Sequence, residues 1–185
     1  MQHNILIKYR NLILRQIQPE DIENLRNWRN DSQNSRFLRK LPYITSNMQK
    51  AWYAKYLQDS DEIAFSIVEN NEIKDVIGSL SLYDFHDGEA EIGKILIGNK
   101  AARGHGYGHL AFVMLLHYAF KILKLKKIFA IVDKNNIAAR KTYSKVGFEF
   151  VKCVNIENVG MQDLIQITNE KLETANVFCN DIKII

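Results

Sequence analysis

The chain has 185 residues, of which 46% are hydrophobic and 25% charged, a balance that fits one folded domain and excludes a disordered or fibrous protein. Two cysteines, Cys153 and Cys179, exclude a disulfide framework or a cysteine-built metal cluster, and no apolar run reaches the roughly 18 residues that span a bilayer. A net charge of +4 and a pI near 9.0 suit an anionic small ligand, but without an arginine-rich or aromatic-basic tract they exclude nucleic acid as the expected partner.

The N-terminal stretch MQHNILIKYRNLILRQ is interrupted by too many polar residues for a secretory signal, so a cytoplasmic location is expected. Asn11 to Ile17 reads as a strand. Pro19, Glu20 and Asp21 then start a helix that runs to about Trp28 or Arg29, with the acids near the positive end of its dipole. Thr45 and Ser46 cap a second helix, whose apolar side is expected to carry Met48, Trp52, Tyr56 and Leu57. Ile63–Val68 and Val76–Leu82 read as strands joined through a turn at Asn70-Asn71, and Glu91–Ile97 as a third. A glycine-bearing loop, Gly98–Gly108, leads to an apolar helix over Leu110–Leu123.

Lys127–Val132 reads as a buried strand, and Ile137–Val146 as a helix closed by Gly147. Phe148–Asn155 and Met161–Thr168 form a hairpin around residues 157–160, and Cys153 falls within a strand. The tail from Glu170 to Ile185 carries no assignable pattern. The order strand, glycine loop, helix, strand over Glu91–Val132 favours parallel pairing of its two strands, whereas the hairpins pair antiparallel. The fold class is therefore α+β (mixed α/β), not a doubly wound sheet.

Arg103-Gly104-His105-Gly106-Tyr107-Gly108 is the sharpest local signal. Glycines admit close approach of a ligand to the backbone, and the free amides of a helix start attract a phosphate or pyrophosphate. Arg103 adds a charge-assisted contact. No Gly-Lys-Ser/Thr follows, and the singly alternating glycines do not make a dinucleotide fingerprint.

A second segment, Asn136-Ile137-Ala138-Ala139-Arg140-Lys141-Thr142-Tyr143-Ser144-Lys145-Val146-Gly147-Phe148, follows the strand KIFAIV. Together the two segments resemble the GNAT superfamily of acetyl-CoA-dependent N-acetyltransferases. Arg103, Gly106 and Gly108 meet the superfamily's loop pattern, and Asn136, Ala139, Tyr143, Gly147 and Phe148 meet its downstream pattern. The resemblance covers about residues 12–168. It implies a GNAT acyl-CoA N-acyltransferase fold, with a central, mostly antiparallel, twisted sheet flanked by helices. LRNWRN at Leu25–Asn30 and IGNKAARGHGYG at Ile97–Gly108 are similar to acetyltransferases of nucleotide-linked amino sugars of the pseudaminic acid pathway type. GMQD at Gly160–Asp163 is similar to ribosomal-protein N-terminal and spermidine acetyltransferases. His109-Leu110 stands where these relatives often carry Thr-Glu.

The resemblance implies acetyl-CoA as cosubstrate, held where the strand before the loop splays from its neighbour. Backbone groups of Ile95, Leu96 and Ile97 would hold the pantetheine, as an added strand does. Amides of Gly104, His105, Gly106, Tyr107 and Gly108, with Arg103, would hold the pyrophosphate, and Asn136 would orient the cosubstrate or cap its helix. An alkyl ammonium with a pKa near 10.4 needs a base before it attacks. Glu91, on the strand entering the site, is the candidate, with His86 in the HDGE turn as a rival. Tyr143 matches the superfamily's acid for the departing thiolate. Trp28, Arg29, Tyr83 and Trp52 are candidate walls of an acceptor pocket or core residues, and no metal site is expected.

The acceptor is expected to be a small-molecule amine, with a nucleotide-linked amino sugar favoured by Arg26, Arg29, Arg36 and Arg39. A protein N-terminus or a polyamine is the alternative, and a non-catalytic acyl-CoA-binding module is the competing class. A homodimer is an expectation from the relatives alone, and no membrane association is expected.

Overall fold

The computed structural model describes residues 2–157, 159–175 and 181–185. Nine strands form one sheet in the order β7-β8-β6-β5-β4-β3-β2-β1-β9. Two of them, β1 (Leu6–Tyr9) and β2 (Leu12–Gln16), make an N-terminal hairpin. A one-turn helix, Pro19–Asp21, leads into α1 (Ile22–Asn30), followed by the short α2 (Ser32–Ser35) and α3 (Ser46–Gln58). Next come β3 (Glu62–Glu69), β4 (Asp75–His86) and β5 (Glu89–Ile97), antiparallel in sequence. The helix α4 (Tyr107–Lys121) crosses to β6 (Lys127–Val132), which pairs parallel with β5. After α5 (Ile137–Lys145), the hairpin β7 (Glu149–Ile156) and β8 (Gly160–Thr168) docks with β8 against β6. The chain ends in α6 (Asn169–Thr174) and β9 (Lys183–Ile184). The mixed fold with one parallel step is the one expected.

Alternation along the strands sends their side chains to two cores. Ile63, Phe65 and Ile67 of β3 face the larger one, where α4 buries nearly its whole length from Ala111 to Phe120. Ala64 points the other way, into a smaller cluster with Ile17, Ile22, Leu25 and Tyr56 beneath α1 and α3.

Four expectations are corrected. β1 was not anticipated: its hairpin turns at Arg10, which takes φ 52° without the help of a glycine. α4 begins at Tyr107 rather than Leu110, so the last loop glycine, Gly108, belongs to its first turn. Met48 and Trp52 face solvent, at 49% and 37% exposure, because α3 turns Gln49, Tyr53 and Tyr56 inward, and the Tyr56 hydroxyl bonds to the Ala64 carbonyl at 3.2 Å. The tail is partly regular: α6 buries Leu172, and β9 closes the outer edge of β1. Cys153 lies on β7 as expected, whereas Cys179 falls outside the described residues.

One buried charge ties the smaller core to the sheet. Asp21, 2% exposed, accepts from Arg15 at 2.6 and 2.9 Å, from the Gln18 amide at 2.8 Å and from Ser66 Oγ at 2.6 Å. Burial acts to raise its pKa, but the Arg15, Gln18 and Ser66 donors outweigh it and hold the carboxyl below its ordinary value. A carboxyl held down in the folded state stabilises above its unfolded pKa, and that contribution is lost as pH falls. Asp21→Ala is expected to cost about 3 kcal/mol in urea unfolding at neutral pH, the low end for a broken buried pair. The low end applies because Arg15 keeps 26% of its side chain in solvent.

Candidate active site

The sheet opens in its middle. The parallel pairing of β5 with β6 consists of Glu89, Ala90 and Glu91 against Lys127, Ile128 and Phe129, and it stops there. From Ile92 onward β5 stays with β4, while Ala130 to Val132 of β6 stay with β8. A bulge lies at the start of the gap. The register with β4 slips between Ser81↔Gly93 and Ser79↔Leu96, and Lys94 takes φ 53°, a conformation unusual for a side-chain-bearing residue. The polar groups of Ile95, Leu96 and Ile97 that would have met β6 are thereby released at the gap.

The glycine loop sits at the end of that strand. Gly104 and Gly106 have φ of +82° and +78°, and a Cβ built on either would meet nothing within 4 Å. Gly106 is the N-terminal cap of α4 and offers no side chain to its first amides. These amides and the helix dipole face a space that glycine keeps clear, the arrangement that suits a phosphate. The rings of His105 and Tyr107 stack at 5.6 Å, and the Tyr107 hydroxyl accepts from Asn11 at 3.4 Å, so the Tyr107 ring is held between the loop and the turn of the N-terminal hairpin. Gly108 lies against Ile97, with its Cβ position 3.3 Å from Cγ1.

A cavity of about 250 Å³ joins the two features. Leu96, Ile97, Arg103 and Asn136 line it together with Gln33, Asn34, Arg36 and Phe37 from α2 and the segment that follows. Arg103 bonds to Asn34 Oδ1 and reaches the Gly98 carbonyl at 3.5 Å. Asn136 caps α5, accepting from the Ala139 amide at 3.1 Å.

Of the reacting groups expected from the sequence, Glu91 stands at the edge of the gap. Glu62, Tyr83, Glu91 and Phe129 are consecutive cross-strand partners on β3, β4, β5 and β6. The Tyr83 hydroxyl donates to Glu91 Oε1 at 2.6 Å. Burial pushes the Glu91 carboxyl above its ordinary value, the Tyr83 bond and the Lys94 charge oppose that, and Asp84 adds to it. Tyr143 reaches in from α5. It is 7% exposed, its ring packs edge-on against Phe112 at 5.0 Å, and burial followed by the Glu91 charge pushes its phenol well above the usual range. His86 stands apart: half-exposed at the end of β4 opposite Glu89, it bonds to the Asp84 carbonyl at 2.8 Å.

The expected acceptor residues divide. Trp28 packs on Gly98, where a Cβ would lie 2.0 Å from the indole, so only glycine fits there. Arg29 reaches the Arg39 carbonyl, and Arg26 pairs with Glu23 at 2.8 Å. Arg36 alone of the four arginines lines the cavity. Sequence reasoning missed Lys94 and Glu62, which pair at 2.6 Å beside Tyr83. The signal was present in EIGKILI, where a glycine followed by a lysine interrupts an apolar strand and marks a bulge. No cluster of three or more metal-ligating side chains occurs among the described residues.

The acetyltransferase (GNAT) domain matches residues 11–149, and the chain belongs to that family. It is an acetyl-CoA-dependent N-acetyltransferase. An uncharacterised N-acetyltransferase of the SPbeta prophage of Bacillus subtilis, YokL, is 28% identical over 142 residues, covering 75% of this chain and 76% of its own length. Spermidine N(1)-acetyltransferase of Escherichia coli K12 is 27% identical over 135 residues, covering 73% and 71%. Among solved structures, spermidine N-acetyltransferase from Vibrio cholerae in complex with CoA and spermine superposes with a TM-score of 0.78 at 23% identity. The superposition covers 88% of this chain and 98% of that one, a likeness of fold. No helix among the described residues is long and apolar enough to cross a membrane.

Proposed function

We propose that the protein transfers acetyl from acetyl-CoA to a small primary amine by direct attack, with Glu91 as base and Tyr143 as acid. The observation that supports this reading is the place of Glu91 where β5 leaves β6, near enough for its charge to act on the buried Tyr143 phenol. Backbone groups of Ile95, Leu96 and Ile97 hold the pantetheine arm in the gap. The amides from Gly104 to Gly108, including those of His105 and Tyr107, hold the pyrophosphate with Arg103 alongside, and Asn136 braces the wall. Bringing thioester and amine together is the larger part of catalysis.

In the reaction, Glu91 takes a proton from the acceptor ammonium. The amine nitrogen bonds to the acetyl carbon, the carbon–sulfur bond breaks, Tyr143 gives its proton to the leaving thiolate, and the nitrogen sheds its second proton to solvent as the neutral amide forms. Solvent then takes the proton from Glu91 and restores the one on Tyr143. The two carriers are coupled. Burial first and the Glu91 charge second hold the Tyr143 proton on in the resting enzyme, and neutralising Glu91 with the amine proton eases the second of these as the thiolate forms.

For the acceptor, Arg36, at the cavity wall beside the residues assigned to acetyl-CoA, supports an amine that also bears phosphate, such as a nucleotide-linked amino sugar. A polyamine is the second reading, supported by the relatives that act on spermidine and by Glu62, Asp84 and Glu91 near the gap.

Thiol release from acetyl-CoA, followed with a nucleoside-diphosphate amino sugar, spermidine and a peptide amine, tests this. Turnover of the amino sugar is expected. Turnover of spermidine alone replaces the acceptor with a polyamine, and silence with every amine overturns transfer to a small amine. Tyr143→Phe is expected to lower kcat by about a hundredfold or more, with acetyl-CoA affinity unchanged. A variant with full kcat would remove Tyr143 from the acid role.

A further inference from the structure

We propose that Tyr83 is a positioning residue for acetyl transfer, holding the Glu91 carboxylate at the mouth of the gap through a hydrogen bond that only a glycine at position 93 leaves room for. The proposal rests on Glu91 acting as the base. Tyr83 and Glu91 are direct cross-strand partners, and their hydroxyl–carboxylate bond of 2.6 Å is short and charge-assisted. A carboxylate at the end of three rotatable bonds is otherwise free to turn along the strand, and the bond fixes one oxygen, leaving the other for the acceptor.

Gly93 makes the arrangement possible. A Cβ at 93 would lie 2.5 Å from the Tyr83 hydroxyl and 3.3 Å from two of its ring carbons. Gly93 carries no positive φ, so backbone conformation does not require glycine there. The space taken by the phenol does. The bulge at Lys94, next along β5, fixes the ring from the other side, with the ammonium 4.6 Å from the ring centroid and anchored on Glu62 at 2.6 Å. Tyr83 is thus held by three neighbours and offers its one proton to Glu91.

The charged and titratable groups around Glu91 are few. From β4 come Tyr83 and Asp84, from β5 come Lys94 and Glu89, and from α5 comes Tyr143. Glu89 is paired with Lys127 of β6 at 2.7 Å, and β6 otherwise contributes Phe129 opposite Glu91. Glu62 of β3 acts through Lys94 and Tyr83. Burial pushes the Tyr83 phenol far above its usual range, and the Glu91 charge pushes it further, so it remains a donor throughout the working pH range. The bond therefore favours the ionised base.

The test is the pH profile of kcat/KM in the full-length protein. Tyr83→Phe keeps the ring and the Lys94 contact and removes only the donor. The limb that reports Glu91 is expected to move up by about one pH unit, with kcat/KM below it lowered about tenfold and the KM for acetyl-CoA unchanged. Gly93→Ala pushes the phenol away and leaves both side chains chemically intact, and the same upward shift is expected. A limb that stays in place in both variants overturns the positioning role, as does a lower kcat without movement of the limb, which would mean general loosening. Glu91→Gln separates the two levels: it must abolish the limb, and a limb that survives it overturns Glu91 as base and Tyr83 with it.

Discussion

Glu91→Gln is expected to lower kcat/KM by about a hundred- to ten-thousandfold, the range that a positioned base supplies. The substitution is nearly isosteric and keeps an acceptor oxygen for the Tyr83 hydroxyl, so the fold and acetyl-CoA affinity should be retained. The pH profile carries the sharper signature. A base works only when deprotonated, and burial holds Glu91 above its ordinary 4.5, so the wild-type limb should lie above that value. Below the limb, log kcat/KM should lose one extra unit per pH unit in the wild type and not in the variant. The acceptor amine titrates several units higher, near 10.4, and does not obscure the difference. A variant of undiminished activity would show that the amine reaches the site already neutral and that Glu91 is only a partner for Tyr83.

The second large effect is expected on binding. Gly106→Glu should weaken acetyl-CoA by about a hundredfold or more in calorimetric titration. Two costs combine. A side-chain-bearing residue at φ +78° costs about 1–2 kcal/mol. A carboxylate over the first amides of α4 takes the place that the pyrophosphate would fill, a contact worth up to about 2 kcal/mol at a helix terminus. Gly106→Ala separates them, because its methyl group would meet nothing within 4 Å and only the backbone cost remains. Equal affinities for the glycine and glutamate proteins would move the pyrophosphate away from this loop.

Much of this site was legible because its information is local. The alternating glycines of GHGYG stand beside an apolar run and need no distant residue to mark a helix entry that admits an anion. Tyr143 and Asn136 stood out because one short segment matches the superfamily's downstream pattern, and Glu91 through its place on the strand that feeds the loop. The packed residues were harder. Helical spacing put Met48, Trp52 and Tyr56 on one stripe, but which side of α3 turned inward depended on the Tyr56 bond to Ala64, across the smaller core. The Lys94–Glu62 pair joins residues 32 apart, and the clearance of Gly93 for the Tyr83 ring follows from β-sheet register. Neither leaves a periodic mark.

By itself, then, the order of residues in this chain determined the kinds of most elements and the glycine-rich helix entry, since each depends on neighbours within about one turn or one strand, and its two motifs carried the resemblance that named the family and the candidate acid. Only the tertiary structure decided that β5 and β6 part after Glu91 and Phe129, and that Tyr83 grips the Glu91 carboxylate. It also decided that the tail returns to close the edge beside β1. The reason is the same in each case: strand register and bulges are set by side-chain burial summed over the whole sheet, and a shift of one residue turns every side chain to the opposite face.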